Sequence, residues 1–252
     1  MSDNIILETV DRVTTMTLSR AEKRNAITQE MYGAMADALA DYAANDEVRA
    51  FVITGAQDYF TSGNDVKDFW TGSNEDEQPP VARFLEQVSS CPKPLIAAVN
   101  GPAIGIGVTM LLHCDLVFVA RSATFSTPFV QLGLVPEAAS SMLLPAAIGN
   151  AMANDMFLAG RVLDASEAVA FGLASRVFLD EDLLVQTQEV AKGVAQSAPT
   201  SMKKTKSLIR HGHAQMSEQM QRESVMFGEQ LKSPEFAEVV AAKMQKRPAV
   251  FK

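Results

Sequence analysis

Cysteine, histidine and tryptophan are all scarce in this chain of 252 residues, and aromatic side chains make up only 7% of it. Two cysteines, Cys91 and Cys114, and three histidines show no metal-like spacing, so no metal is expected. The two thiols read as free groups in a reducing compartment. Positive charge is also short: 22 Lys and Arg face 30 Asp and Glu, a net charge of −8. Without a basic stripe, a general affinity for nucleic acid is excluded. No apolar run reaches membrane-spanning length. The first residues, MSDNIILETVDRV, lack the basic and then apolar order of a secretion signal, and PAVFK at the other end is no recognised address. The expectation is a cytoplasmic protein with neither nucleic acid nor membrane as partner. Internal repeats and low-complexity tracts are missing too. What remains is 47% apolar, enough to bury a sizeable core.

Ile5 to Thr9 and Val13 to Leu18 alternate as two strands joined at Asp11-Arg12. Thr28 is placed to cap a helix whose apolar stripe is Met31, Met35, Ala38, Leu39 and Tyr42. Ala50 to Thr54 and Pro94 to Val99 read as short buried strands, with a helix over Val81, Phe84, Leu85 and Val88 between them. Leu144 to Leu158 is helical with a break near Gly149. Asp164 to Glu167 forms a capping box for a short helix that Gly172 ends, and Arg176 to Leu179 is a last strand. Beyond Glu181 no strand signal remains, and Pro199 and Pro234 sit where first helical turns begin. The fold class is therefore α/β with parallel pairing. Residues 1–197 form the core, and 198–252 an all-helical region that packs on the body or on another subunit.

The stretch from Lys93 to Ser141 holds the chemistry. A strand breaks at Asn100-Gly101-Pro102, and Gly105-Ile106-Gly107 leads into an apolar segment, read as helical, that ends at His113. Strand, glycine-rich turn and helix point free N–H groups at a negative ligand. A second such turn, Ser62-Gly63-Asn64, also follows a strand. If the two converge, the N–H groups of Asn64 and Ile106 can hold one carbonyl oxygen as it becomes an oxyanion. Tight strand–helix packing would explain either turn equally well. No Gly-Lys-Ser/Thr follows, so this is no phosphate loop, and the third glycine of a dinucleotide fingerprint is missing. Glu137 stands alone among uncharged neighbours, where burial raises a carboxyl toward the range of a general base. A first-turn glutamate serving a helix N-terminus fits the same pattern. His113 reads as a structural histidine, and no Ser–His–Asp arrangement is present.

Five segments together resemble the crotonase (enoyl-CoA hydratase/isomerase) superfamily: AEKRNAIT, FTSGNDVKDF, KPLIAAVNGPAIGIGVTMLLHCD, ATFSTPFVQLGLVPEAASS and GRVLDASEAVAFGLASRV. The resemblance implies a crotonase-like ββα spiral core with a C-terminal all-helical trimerisation region. It implies an acyl-CoA thioester substrate, with coenzyme A as part of that substrate and no separate cofactor, and an oxyanion hole at Asn64 and Ile106. Hydratases of the family carry two glutamates at positions that hold Thr109 and Phe129 here. Neither can move a proton as a carboxylate does. The segments NGPAIGIGVT, TFSTPF and PEAASS are most similar to peroxisomal-type Δ3,Δ2-enoyl-CoA isomerases, whose single catalytic glutamate corresponds to Glu137. Loops that family members use around CoA correspond to Lys23, Arg24, Ala26, Ser62, Gly63, Asp65, Val66 and Gly105, with Lys246 and Phe251 at the helical end. Phe69, Trp70, Met110 and Phe129 are the implied acyl pocket. The implied assembly is a homotrimer or a dimer of trimers. Other members carry out thioester hydrolysis or dehalogenation, or only bind CoA or RNA.

Overall fold

The computed structural model describes residues 2–65, 68, 78–210 and 213–251. Among them the strands are β1 (Ile5–Val10), β2 (Val13–Leu18), β3 (Ala50–Gly55), β4 (Leu95–Val99), β5 (Ala103–Ile104), β6 (Leu116–Ala120), β7 (Thr124–Ser126), β8 (Leu163–Asp164) and β9 (Arg176–Phe178). The α-helices are α1 (Gln29–Ala44), α2 (Pro80–Ser90), α3 (Ile106–Thr109), α4 (Ser140–Ile148), α5 (Asn150–Ala159), α6 (Ala165–Phe171), α7 (Leu183–Gln196), α8 (Pro199–Ile209), α9 (His213–Leu231) and α10 (Pro234–Met244). Six strands pair in the order β1-β2-β3-β4-β6-β9, and β5-β7-β8 form a small second sheet. Only β1–β2 and β7–β8 are antiparallel; all other pairs are parallel.

The α/β reading holds, and its local causes are visible. Asp11 and Arg12 both take positive φ, 51° and 66°, the turn whose twist matches a two-strand hairpin. Thr28 Oγ1 accepts from Met31 N at 3.2 Å to start α1, and the predicted stripe from Met31 to Tyr42 is buried. Asp164 and Glu167 form the expected reciprocal box before α6. Along β3 and β4 the pleat sends Phe51, Ile53, Leu95, Ala97 and Val99 into one apolar cluster and Ala50, Val52, Ile96 and Ala98 into another. Helices α1 and α2 pack on the first face, and Leu183, Ala191 and Ala195 of α7 on the second. Burial on both faces is why these strands read as unbroken apolar runs.

Several details differ from the sequence reading. The apolar segment after Gly105 is not one α-helix to His113, because α3 gives way after Thr109 to a 3-10 turn, Met110–His113. The 3-10 residues Met110, Leu111 and Leu112 are good helix formers, so tertiary packing and not propensity ends α3. Strand β6 went unread, since Leu116–Ala120 is a five-residue apolar run between Asp115 and Arg121, too short to show a period of its own. Helix α4 begins at Ser140, four residues earlier than its apolar pattern.

The helical tail is pinned to the body by buried charge. Lys206 Nζ donates to Lys93 O and to Asp115 Oδ2, both at 2.7 Å, and Arg210 reaches Asp115 Oδ1 at 3.2 Å. Asp115 also accepts from Leu95 N at 2.8 Å, so one carboxylate ties β4 to α8.

Candidate active site

The two glycine turns do meet. Thr61 N donates to Pro102 O at 3.2 Å and Ile104 N to Thr61 O at 3.0 Å, a parallel bridge between the segments. Contact is close enough to require the glycines. A Cβ on Gly63 would lie 2.9 Å from Ile104 O, and one on Gly107 2.6 Å from Thr61 Cγ2. Gly63 and Gly105 also take φ of 89° and 58°. Among the described residues, neither the Asn64 N–H nor the Ile106 N–H has a hydrogen-bond partner. Both groups therefore remain available to a ligand oxygen.

Glu137 lies three residues before α4 and is 8% exposed. Its side chain does not cap that helix. Instead Oε1 accepts from Thr109 Oγ1 at 2.5 Å, while Oε2 takes no bond from the described residues. The helix start is served by another acid, Glu223 of α9, which accepts from Ser141 N at 3.0 Å and Ser141 Oγ at 2.5 Å. That excludes the capping explanation for Glu137. Ala138 and Ala139, at φ of 61° and 56°, turn the chain sharply behind it. Two left-handed alanines cost roughly 1–2 kcal/mol each, strain that the surrounding packing sustains. Burial pushes the Glu137 carboxyl up to about 7; the charge of Glu223 adds to this and the Thr109 bond opposes it.

Tyr32 belongs to the same site. Its buried hydroxyl donates to Asn64 Oδ1, and burial together with the charge of Glu137 holds it well above its ordinary value, hence neutral. His113 is fully buried, with Nε2 at 2.8 Å from Ala138 O.

Most of the loop residues implied for CoA are brought together. Ser62 N donates to Arg24 O, Ile27 N to Gly63 O and Asp65 N to Ile27 O, each at 2.9 Å. Arg20 joins Asp65 Oδ2 at 2.7 Å and Ala26 O at 3.1 Å. Lys23 and Arg24 stand exposed on this rim, with Arg24 over the Tyr59 ring. Met110 and Phe129 are buried in the apolar cluster with Ile106, Val108 and Ala138. Lys246 and Phe251 are exposed beyond α10, and no hydrogen bond or ion pair among the described residues links them to the turns. Val66, Phe69 and Trp70 lie outside the described residues. Sequence reasoning missed Tyr32 and Glu223: Tyr32 lies in the first helix but outside the residues named as its apolar stripe, and Glu223 lies in the polar helical tail. Thr109 had been read only as a missing acid.

Two N–H groups without a partner among the described residues, a close-packed glycine pair and one buried, upshifted carboxyl can remove a proton beside a carbonyl and hold the oxyanion that results. The sequence model of the family described as Enoyl-CoA hydratase/isomerase matches residues 8–252. The chain is 40% identical over 215 residues to rat enoyl-CoA delta isomerase 2, covering 83% of this chain but only 55% of that protein, so it spans about half that relative's length. A probable enoyl-CoA hydratase of Mycobacterium leprae is 32% identical over 253 residues, 99% of this chain and 98% of that one. A crystal structure of an enoyl-CoA hydratase/isomerase from Pseudoalteromonas atlantica T6c is 48% identical, superposes with a TM-score of 0.97, and covers 99% of this chain and all of that one.

Proposed function

This chain belongs to the enoyl-CoA hydratase/isomerase (crotonase) family of acyl-CoA enzymes, and within it we propose that it shifts the double bond of 3-enoyl-CoA thioesters to give trans-2-enoyl-CoA. In this reading the Glu137 carboxylate takes a proton from C2, and the electron pair passes into the thioester carbonyl. The dienolate oxygen is held by the N–H groups of Asn64 and Ile106, each such donor being worth roughly 3–4 kcal/mol in the transition state. The same carboxyl then returns the proton to C4, so the double bond moves without gain or loss of atoms.

One observation supports the proposal: Thr109, in the short helix that Ile106 opens, holds the Glu137 carboxyl, and by the family resemblance Thr109 and Phe129 stand where hydratases carry their two acids. Hydration needs a positioned water, and buried Phe129 and Val108 oppose one. A carboxyl near 7 is matched to accepting and returning a proton near neutrality. Glu137→Gln should lower conversion of 3-enoyl- to 2-enoyl-CoA by roughly 10²- to 10⁴-fold. Full retention of activity in that variant would remove Glu137 as the base. Faster water addition to 2-enoyl-CoA than isomerisation, in the same preparation, would favour a hydratase instead.

The proposed assembly is a homotrimer or dimer of trimers built through the helical tail, where Leu208, Ile209, Val225 and Met226 are exposed. Sedimentation as a monomer at micromolar concentration would overturn that assembly.

A further inference from the structure

We propose that Glu223, on α9, is a positioning residue of the catalytic loop: it grips Ser141 from the tail and fixes both the place of Glu137 and the charge that surrounds it. This rests on the reading of Glu137 as the base. The loop between Glu137 and Ser141 contains two left-handed alanines and has no side-chain cap of its own. Its conformation must be imposed from outside. Three elements do so. Thr109 of α3 holds the carboxyl, His113 of the 3-10 turn meets Ala138 O, and Glu223 takes both the N–H and the hydroxyl of Ser141. Gln219, one turn earlier on α9, donates to the same hydroxyl at 2.8 Å. The loop is thereby clamped at both ends.

Glu223 is not an ordinary cap. It is 4% exposed, and its Oε2 is buried with no hydrogen-bond partner among the described residues. Leaving half a buried carboxylate unpaired is costly, and a neutral acceptor such as serine, asparagine or glutamine would serve the helix start without burying a charge. What only a carboxylate adds is charge. Among the described residues, Tyr32 from α1 and Glu223 from α9 interact electrostatically with Glu137, and His113 from the 3-10 turn meets the neighbouring Ala138 O. Tyr32 is neutral, and Glu223 is the one whose charge favours a proton on Glu137.

The test reads the proton affinity of Glu137 directly, from the carboxyl ¹³C shift in the free protein, alongside the pH profile of isomerisation. Glu223→Gln keeps an acceptor for Ser141 and removes the charge. The Glu137 midpoint should fall by on the order of half to one pH unit, and the acid limb of kcat/KM should move with it. Glu223→Asp keeps the charge but draws it back toward α9, so a smaller fall is expected. Either variant suffices if the other does not fold. An unmoved Glu137 midpoint in every folded variant of the two overturns the proposal, whatever the activity. Failure of the isomerase reading would appear separately, as retained activity in Glu137→Gln.

Discussion

Replacing Glu137 by glutamine should make the protein more stable as well as inactive, and the gain should depend on pH. The unfolded carboxyl titrates at its ordinary 4.5, whereas burial holds the folded one at about 7. Between those values the folded chain binds the extra proton, so this group favours folding fully below pH 4.5. That contribution is lost as pH rises through about 7. At 1.36 kcal/mol per pH unit, keeping the charged form buried above neutrality costs ~3 kcal/mol. Glutamine has nearly the same shape and can still accept from Thr109 Oγ1, but it carries no charge to desolvate. Denaturant unfolding of both proteins, at fixed protein concentration, should give nearly equal free energies at pH 4.5 and a variant more stable by ~3 kcal/mol at pH 8. A stability difference that stays flat across this range, or a variant weaker at pH 8, would refute the account of a strained, desolvated base.

Thr109→Val removes the donor to Glu137 at nearly constant volume. A hydrogen bond to a charged group is worth about 1.5–3 kcal/mol, so the acid limb of the pH–rate profile should move up by roughly one to two pH units. Gly63→Ala should abolish turnover, because its Cβ meets Ile104 O at 2.9 Å in a left-handed backbone; Gly33→Ala, with nothing within 4 Å inside α1, should be active and up to ~1 kcal/mol more stable. Parallel unfolding and turnover measurements on the two would separate a site effect from a general one. Lys206→Met leaves Asp115 without its closer cation and should cost ~3 kcal/mol, read as a lowered denaturation midpoint.

Much of the fold was legible because its signals are local. Thr28, the Asp164–Glu167 box, Pro199 and Pro234 announce helix starts through contacts within one turn. The buried runs of β3 and β4 announce themselves by composition. Two- and three-residue strands such as β5, β7 and β8 carry no such signal, because their pairing is decided by the chain around them. The site divides the same way. Both glycine turns and the isolated Glu137 could be picked out, and the family resemblance joined them. That Thr109 holds Glu137 could not be read from spacing, since residues 28 apart in sequence share no local pattern. Glu223 is hidden more deeply still. It meets Ser141 across 82 residues, from a helix whose exposed polar face looks ordinary.

That long reach has a consequence for the order of synthesis. A ribosome delivers both donor turns and Glu137 well before it delivers α9. Until Glu223 emerges, Ser141 lacks its clamp and nothing from the tail enforces the two left-handed alanines. The nascent chain therefore carries both glycine turns and Glu137 before Glu223 can reach Ser141. If Glu223 sets the place of Glu137 as proposed, catalytic competence is one of the last properties the growing chain gains, and a chain cut after Gln196 should carry both turns and Glu137 without the Ser141 clamp.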